Sequence, residues 1–313
     1  MLATSKLRCQ LFVPNLPKSI KRPATNHCAA GSPSFIGKSK ACSARVSAGE
    51  APITFPRGGG KDGDDEGDFP FGLRREALPK HVAVIMDGNG RWAASRGLPT
   101  ASGHVAGYKA LKLMVELSCR WGIRVLTVFA FSSENWLRPK PEVDFLMTLF
   151  ENVLKEDLRD LLREDIRICI IGDSSKLPKT LQKMSTEVEE ISHRNSRLDL
   201  VVALSYSGRT DIVQACQKIA QKVKNGILHP EDITETCVAQ ELETSSAVGY
   251  PYPDLLIRTS GELRLSNFLL WELAYTELYF SQSHWPDFGE DEYVEALRAF
   301  QKRQRRFGLR TAL

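Results

Sequence analysis

The first 49 of the 313 residues contain no Asp or Glu. No stretch approaches the ~18 consecutive apolar residues that a membrane-spanning helix needs, and none of the seven cysteines stands in a Cys-x-x-Cys pair. The missing pairs argue against a zinc site and a disulfide framework, so Cys119, Cys169, Cys216 and Cys237 read as buried free thiols, while Cys9, Cys28 and Cys42 fall in the leader. The acid-free segment carries Lys6, Arg8, Lys18, Lys21, Arg22, Lys38, Lys40 and Arg45 among many Ser and Ala, without the compact apolar core of a secretory signal. Residues 1–49 therefore read as an organellar transit peptide, of plastid rather than mitochondrial type. The formal charge of +4 belongs to this leader, because the rest of the chain holds 34 basic against 38 acidic residues. With no dense basic stripe left, nucleic-acid binding is not expected.

Residues 50–77 read as a disordered linker, since Gly58-Gly-Gly60 and Asp62-Gly-Asp-Asp-Glu-Gly-Asp68 are too polar and glycine-rich to pack. Asp64-Asp-Glu-Gly-Asp68 spells the Asp-Asp-x-x-Asp pattern of trans-type prenyl-diphosphate synthases, but that pattern needs a rigid helix to bring its acids onto one face. Gly58-Gly-Gly-Lys61 lacks both the spacing and the preceding strand of a P-loop. The folded domain is assigned to residues 78–313. Apolar runs predict strands at Val82–Met86, Val125–Phe131, Ile166–Ile171, Leu198–Leu204, Asp254–Ile257 and Leu269–Trp271. Helical spacing predicts helices at His104–Trp121, Glu142–Arg163, Leu181–Ser192, Arg209–Lys224, Val238–Leu242 and Asp291–Arg306. Alternating helices and uniformly apolar strands make a single α/β domain with a mostly parallel sheet flanked by helices.

In such a sheet ligands gather beyond the carboxyl ends of the strands, and the unusual polar segments of this chain fall there. Asp87-Gly-Asn-Gly-Arg-Trp92 follows the first strand with a hard oxygen ligand and a guanidinium around a glycine turn, which suits a metal–diphosphate site. Arg258-Thr-Ser-Gly-Glu-Leu-Arg-Leu-Ser266 places two arginines and a hydroxyl around a small-residue turn. That segment fits either a diphosphate grip or a solvated loop. Glu277 lies among aromatics, either paired or a ligand. His104 follows Gly103 at a helix start, and Ser132, Glu134, Asn135, Trp136 and Arg138 form a further polar loop.

These segments, with Trp271–Phe280 and Trp285-Pro-Asp-Phe288, resemble the cis-prenyltransferase family, which includes undecaprenyl diphosphate synthase. The similarity runs from about Leu78 to Gly308. It implies a six-stranded sheet, dependence on Mg2+, and condensation of isopentenyl diphosphate onto an allylic diphosphate with cis geometry. The implied metal ligands are Asp87 and Glu277, and the implied catalytic residues are Asp87 and Asn135. An amide is a very weak base, so Asn135 is expected to orient the alkene or a water while the diphosphate takes the proton. Allylic-diphosphate binding is implied for Gly88, Asn89, Gly90 and Arg91, with His104 nearby, and substrate binding for Trp92. The second loop, Ser132, Ser133, Glu134, Asn135, Trp136, Arg138 and Glu142, is implied to order over the substrates. Isopentenyl-diphosphate binding is implied for Arg258, Arg264, Leu265 and Ser266. Tunnel length is expected to set product length, short or medium here because helix 142–163 lacks the insertion of very long-chain members.

The departures from the family pattern are Thr100, where many bacterial members have arginine, Leu263 in place of a histidine, and Ser205-Tyr-Ser-Gly208 for Asn-Tyr-Gly-Gly. Arg306-Phe307-Gly308 matches the element that subunits supply across a dimer, which implies a self-sufficient homodimer. The rival reading is a non-catalytic partner subunit, but such subunits tend to lose the aspartate and arginine motifs kept here. Membrane contact, if any, is expected to be peripheral and through the product.

Overall fold

The computed structural model describes residues 69–303, apart from residue 71. The segment read as a transit peptide, most of the segment read as a linker with its two decoy motifs, and Arg306-Phe307-Gly308 lie outside the described residues. In chain order the elements are β1 (His81–Ile85), α1 (Asn89–Ser95), α2 (Thr100–Trp121), β2 (Val125–Ser132), α3 (Lys140–Glu156), α4 (Leu158–Arg163) and β3 (Ile166–Ile171). They continue with α5 (Lys179–Ser192), β4 (Leu198–Tyr206), α6 (Gly208–Lys224), α7 (Glu235–Glu241), α8 (Glu243–Ala247), β5 (Leu255–Arg258), β6 (Glu277–Phe280) and α9 (Glu290–Gln301). The strands form one six-stranded sheet in the order β3-β4-β2-β1-β5-β6, and every neighbouring pair is parallel.

Parallel strands covered on both faces need apolar side chains at every position, which is why β1 is buried throughout. Side chains alternate across the sheet. Val82 and Val84 pack with Leu117 and Trp121 of α2 and Leu297 of α9, while Ala83 and Ile85 pack with Phe268 and Leu273 on the opposite face. A third cluster joins Phe131 to Val143, Leu146 and Met147 of α3 and Leu181 of α5. At the end of α2, Gly122 adopts φ +85°, a left-handed cap that a side chain disfavours.

The ordered body begins before Leu78. Leu73 is buried and Phe69 packs against the same core, and the backbone of Arg74 exchanges two hydrogen bonds with the side chain of Gln301. Apolar Phe69 and Leu73 override the polar composition of the segment preceding them. The predicted strand Leu269–Trp271 is not a strand; the sixth strand is Glu277–Phe280, reached through a 3-10 turn at Glu272–Tyr275. The long helix predicted over Glu142–Arg163 is broken at Asp157. Of the four described cysteines, Cys119 and Cys169 are buried, but Cys216 is exposed and Cys237 intermediate. No helix among the described residues is long and apolar enough to cross a membrane.

Behind the sheet, Glu272 is 3% exposed and accepts a 2.7 Å hydrogen bond from the Thr244 hydroxyl. Burial, with Asp211 and Glu243 nearby, pushes its carboxyl up to about 7. The folded state thus holds a proton that the unfolded chain releases near 4.5, so this group's contribution falls as pH rises from about 4.5 through 7. Glu272→Gln keeps the acceptor and removes the buried charge. It is expected to stabilise the protein by about 2 kcal/mol at pH 8 and hardly at all at pH 4.5, read from thermal or urea melts at the two pH values.

Candidate active site

The carboxyl ends of β1, β2, β4 and β5 open into one cleft of about 950 Å3. Beyond β1 the chain turns through Gly88, whose φ is +104°. A Cβ at Gly88 would lie 2.0 Å from Ser260 Oγ and 2.8 Å from His284 Nδ1, so both the backbone and the space require glycine. Gly88→Ala is expected to cost about 1–3 kcal/mol and to lower kcat/KM, checked by melting and steady-state kinetics.

This turn sets Asp87 against β5. Its amide donates to Thr259 Oγ1 at 2.9 Å, and the Thr259 hydroxyl donates back to the Asp87 carbonyl at 2.7 Å. Asp87 Oδ2 accepts from Arg258 Nη2 at 2.9 Å, and Oδ1 pairs with Arg91 Nη2 at 3.1 Å. Burial opposes the carboxylate's charge, but the hydrogen bond and charge of Arg258, with Arg91, outweigh it and hold Asp87 below the usual range. Arg258, its side chain only 4% exposed, also donates to Ser266 Oγ at 2.7 Å and to the Arg264 carbonyl. Glu262 bridges the two outer arginines, accepting from Arg91 Nη1 at 2.8 Å and from Arg264 Nη1.

On the other side, His104 of α2 meets Glu142 of α3, Nε2 to Oε1 at 3.3 Å, and Arg138 donates to the same oxygen at 3.0 Å. Burial lowers the His104 pKa, partly opposed by Glu142. The second loop is a 3-10 turn over Ser133–Leu137, capped by Asn135, whose Oδ1 accepts from the Ser132 amide at 3.1 Å. With that oxygen engaged, the Asn135 amide presents donors, which disfavours a proton-acceptor role.

The structure brings Asp87, Gly88, Asn89, Gly90, Arg91, His104, Ser132, Glu134, Asn135, Arg138, Glu142, Arg258, Arg264 and Ser266 to the cleft wall. Five residues expected at the site stand elsewhere. Trp92 donates to Asp287 at 2.7 Å and carries Arg96 on its ring. Ser133 and Trp136 donate to the carbonyl and the hydroxyl of Ser205 and so anchor the second loop. Leu265 packs into the core. Glu277 pairs in register with Leu255, three residues before Arg258. At ~3.3 Å per residue it lies at the opposite end of the strands, where its Oε2 accepts from Arg303 at 2.7 Å. This chain does not bring Glu277 to its own cleft.

Ser207, Arg209 and Asn267 also line the cleft; the polar Tyr206–Arg209 stretch was expected beyond a strand end, but none of the three had been given a role. Asn267 Oδ1 accepts from the Arg209 amide at 2.9 Å, and its Nδ2 donates to Ser207 at 2.9 Å and Glu134 at 3.0 Å. The signal was a polar Ser-x-Ser-Gly-Arg stretch directly after an apolar strand.

The inner wall of the cleft is Met86, Asn89, His104, Ala130 and Leu146, and the same residues open an apolar cavity of about 150 Å3 between α2, α3 and the sheet. Tyr108, Leu111, Phe150, Leu154 and Leu204 are among its lining residues. A charged cleft leading into a hydrocarbon-lined channel suits an amphiphile with an anionic head and an apolar tail.

The family model described as "Putative undecaprenyl diphosphate synthase" matches residues 85–308. "Cis-prenyltransferase 4, chloroplastic" of Solanum lycopersicum is 62% identical over 244 residues, 78% of this chain and 79% of that protein. "Dehydrodolichyl diphosphate synthase 2" of Arabidopsis thaliana is 58% identical over 245 residues, 78% of this chain and 79% of that one. The solved lavandulyl diphosphate synthase from Lavandula x intermedia, in complex with dimethylallyl diphosphate, is 44% identical with a TM-score of 0.73, covering 74% of this chain and 99% of that one. The charged cleft and its apolar channel therefore sit in a chain that belongs to the cis-prenyltransferase family and is a prenyl-transferring enzyme.

Proposed function

We propose that the cleft binds an allylic diphosphate against Asp87–Arg91 and His104, and isopentenyl diphosphate against Arg258, Arg264 and Ser266. The allylic tail lies in the channel. The observation that carries this is Arg258: one buried guanidinium joins Asp87 at the end of β1 to Ser266 in the loop after β5, so the two anion sites share a wall. Arg91 faces the first site and Arg264 the second. Both hold Glu262, and a diphosphate offers each a stronger, bidentate partner.

Mg2+ fits this site as an ion held largely by substrate. No group of three or more His, Cys, Asp and Glu side chains suited to a metal occurs among the described residues. A magnesium ion, however, is commonly bound by one or two carboxylates, waters and the phosphates of its ligand. Asp87, kept ionised by its arginines, is the carboxylate that would hold it. When bound, the ion neutralises charge on the departing diphosphate.

The chain's own residues do the rest. Arg91 stabilises negative charge as the allylic C–O bond breaks. The sheet end and α3 hold the alkene of isopentenyl diphosphate against the developing cation. Phe129, Ala130 and Leu146 line the junction and keep water from the cation. The Asn135 amide orients the reacting group, and the released diphosphate takes the proton. Each added five-carbon unit buried in the channel contributes roughly 3–4 kcal/mol, so the channel's depth favours products that fill it.

The acid-free leader, together with relatives named chloroplastic, supports residence in the plastid. Arg306-Phe307-Gly308 in the same chain as Asp87 supports a homodimer. The deciding experiment incubates leader-trimmed protein alone with Mg2+, an allylic primer and labelled isopentenyl diphosphate. Labelled polyprenyl diphosphate supports the reading. No turnover with any primer overturns it in favour of a partner subunit.

A further inference from the structure

The channel wall is hydrocarbon apart from Asn89 and His104 at its mouth and Tyr108, Lys112, Asp157 and Asp160 further in. α2 and α3 both start at the cleft and run away from it, meeting first at His104–Glu142. Lys112 lies eight residues after His104, about 12 Å deeper at 1.5 Å per residue. Asp157 lies at the break between α3 and α4, eleven residues after Leu146 and about 16 Å deeper. The two helices meet again there, Lys112 Nζ to Asp157 Oδ1 at 2.9 Å, with side chains only 23% and 13% exposed. Both residues line the channel, as do Tyr108 and Asp160. Asp157 Oδ2 and the Tyr108 hydroxyl are buried with no hydrogen-bond partner among the described residues, and Lys112 Nζ stands 5.8 Å from the centre of the Tyr108 ring.

We propose that the Lys112–Asp157 ion pair is the floor of the product channel and sets the length at which chain growth stops. The claim rests on the prenyl-elongation reading above and deepens it by naming the residues that select the product. A tail that reaches the pair has filled the hydrocarbon part of the channel. One more unit must part the two charges or press carbon against them. Parting this partly buried ion pair offsets much of what burying one isoprene returns, so elongation loses drive at that point. The carboxylate is already short of solvation, since burial and the neighbouring Asp160 push Asp157 up to about 6. The stop is therefore one of polarity rather than of bulk.

The test compares product lengths from labelled isopentenyl diphosphate for three variants beside wild type. Lys112→Met with Asp157→Leu replaces the pair by hydrocarbon, and its main product is expected to lengthen by at least one five-carbon unit. The exchanged pair, Lys112→Asp with Asp157→Lys, is expected to keep the wild-type distribution. Asp157→Asn removes the charge at nearly constant volume and guards against misfolding of the double variant. With its fold confirmed by circular dichroism, it is expected to shift products longer. Unchanged or shorter products from the apolar pair and from Asp157→Asn, or lengthening by the exchanged pair, overturn the proposal. Wild-type protein that makes no polyprenyl diphosphate at all removes the underlying reading instead.

Discussion

Asp87→Asn is expected to lower kcat by on the order of 10³-fold while KM for both substrates changes far less. The substitution preserves size and one acceptor, so Arg258 keeps a hydrogen bond, but three electrostatic functions are lost together. The negative partner that orients Arg258 and Arg91 disappears, and so does the carboxylate that, on the proposed reading, would hold Mg2+. Those functions matter most when the C–O bond is nearly broken, which is why kcat carries the loss. The buried guanidinium also loses its counter-charge, with an expected stability cost of about 1–2 kcal/mol. Steady-state kinetics and a thermal melt check both statements. Wild-type kcat in a folded variant would remove Asp87 from the mechanism.

Arg258→Ala is expected to raise KM for isopentenyl diphosphate by roughly ten- to a hundredfold, the equivalent of losing one or two charge-assisted bonds, and to raise that for the primer less. The structure adds a second effect. Arg258 supplies the main opposition to burial at Asp87, so its removal lets the Asp87 pKa climb. An aspartate held low keeps its charge to lower pH; once the hold is released, the proton returns at higher pH. The acid limb of the kcat/KM profile should therefore move to higher pH in Arg258→Ala and stay in place in Arg264→Ala. Arg264 contacts Glu262 rather than Asp87. Equal KM effects on the two substrates would mean that the two sites are wrongly assigned.

The sheet and most of the cleft were legible in the sequence because both depend on local pattern. Continuous apolar runs can be covered only by helices on two faces, and polar turns at their carboxyl ends have one common place to meet. Leu269–Trp271 misled because it is apolar for another reason: Phe268 and Leu269 plug the core beside Phe129 and Tyr206 without pairing as a strand. Glu277 was given a metal role by the resemblance, its residue type alone leaving pairing open, and strand register places it at the far end of its own sheet, paired with Arg303. Trp92 was expected to bind substrate, but its indole N–H found Asp287, 195 positions away in the chain. Arg209 and Asn267 belong to segments far apart in sequence, and only the β4–α6 turn brings them together. The break at Asp157 left no trace in the apolar periodicity, since α4 resumes it with Leu158 and Leu161.

The claim on which the mechanism depends is that two diphosphates share a wall built by Asp87 and Arg258. It is tested most directly by a crystal structure with isopentenyl diphosphate and a non-cleavable allylic diphosphate bound together. The account predicts one diphosphate within hydrogen-bond distance of Arg91 and the 88–90 turn, the other on Arg258, Arg264 and Ser266, and the allylic tail pointing between α2 and α3. Both diphosphates bound away from Asp87 and Arg258, or a tail directed into solvent, would contradict it.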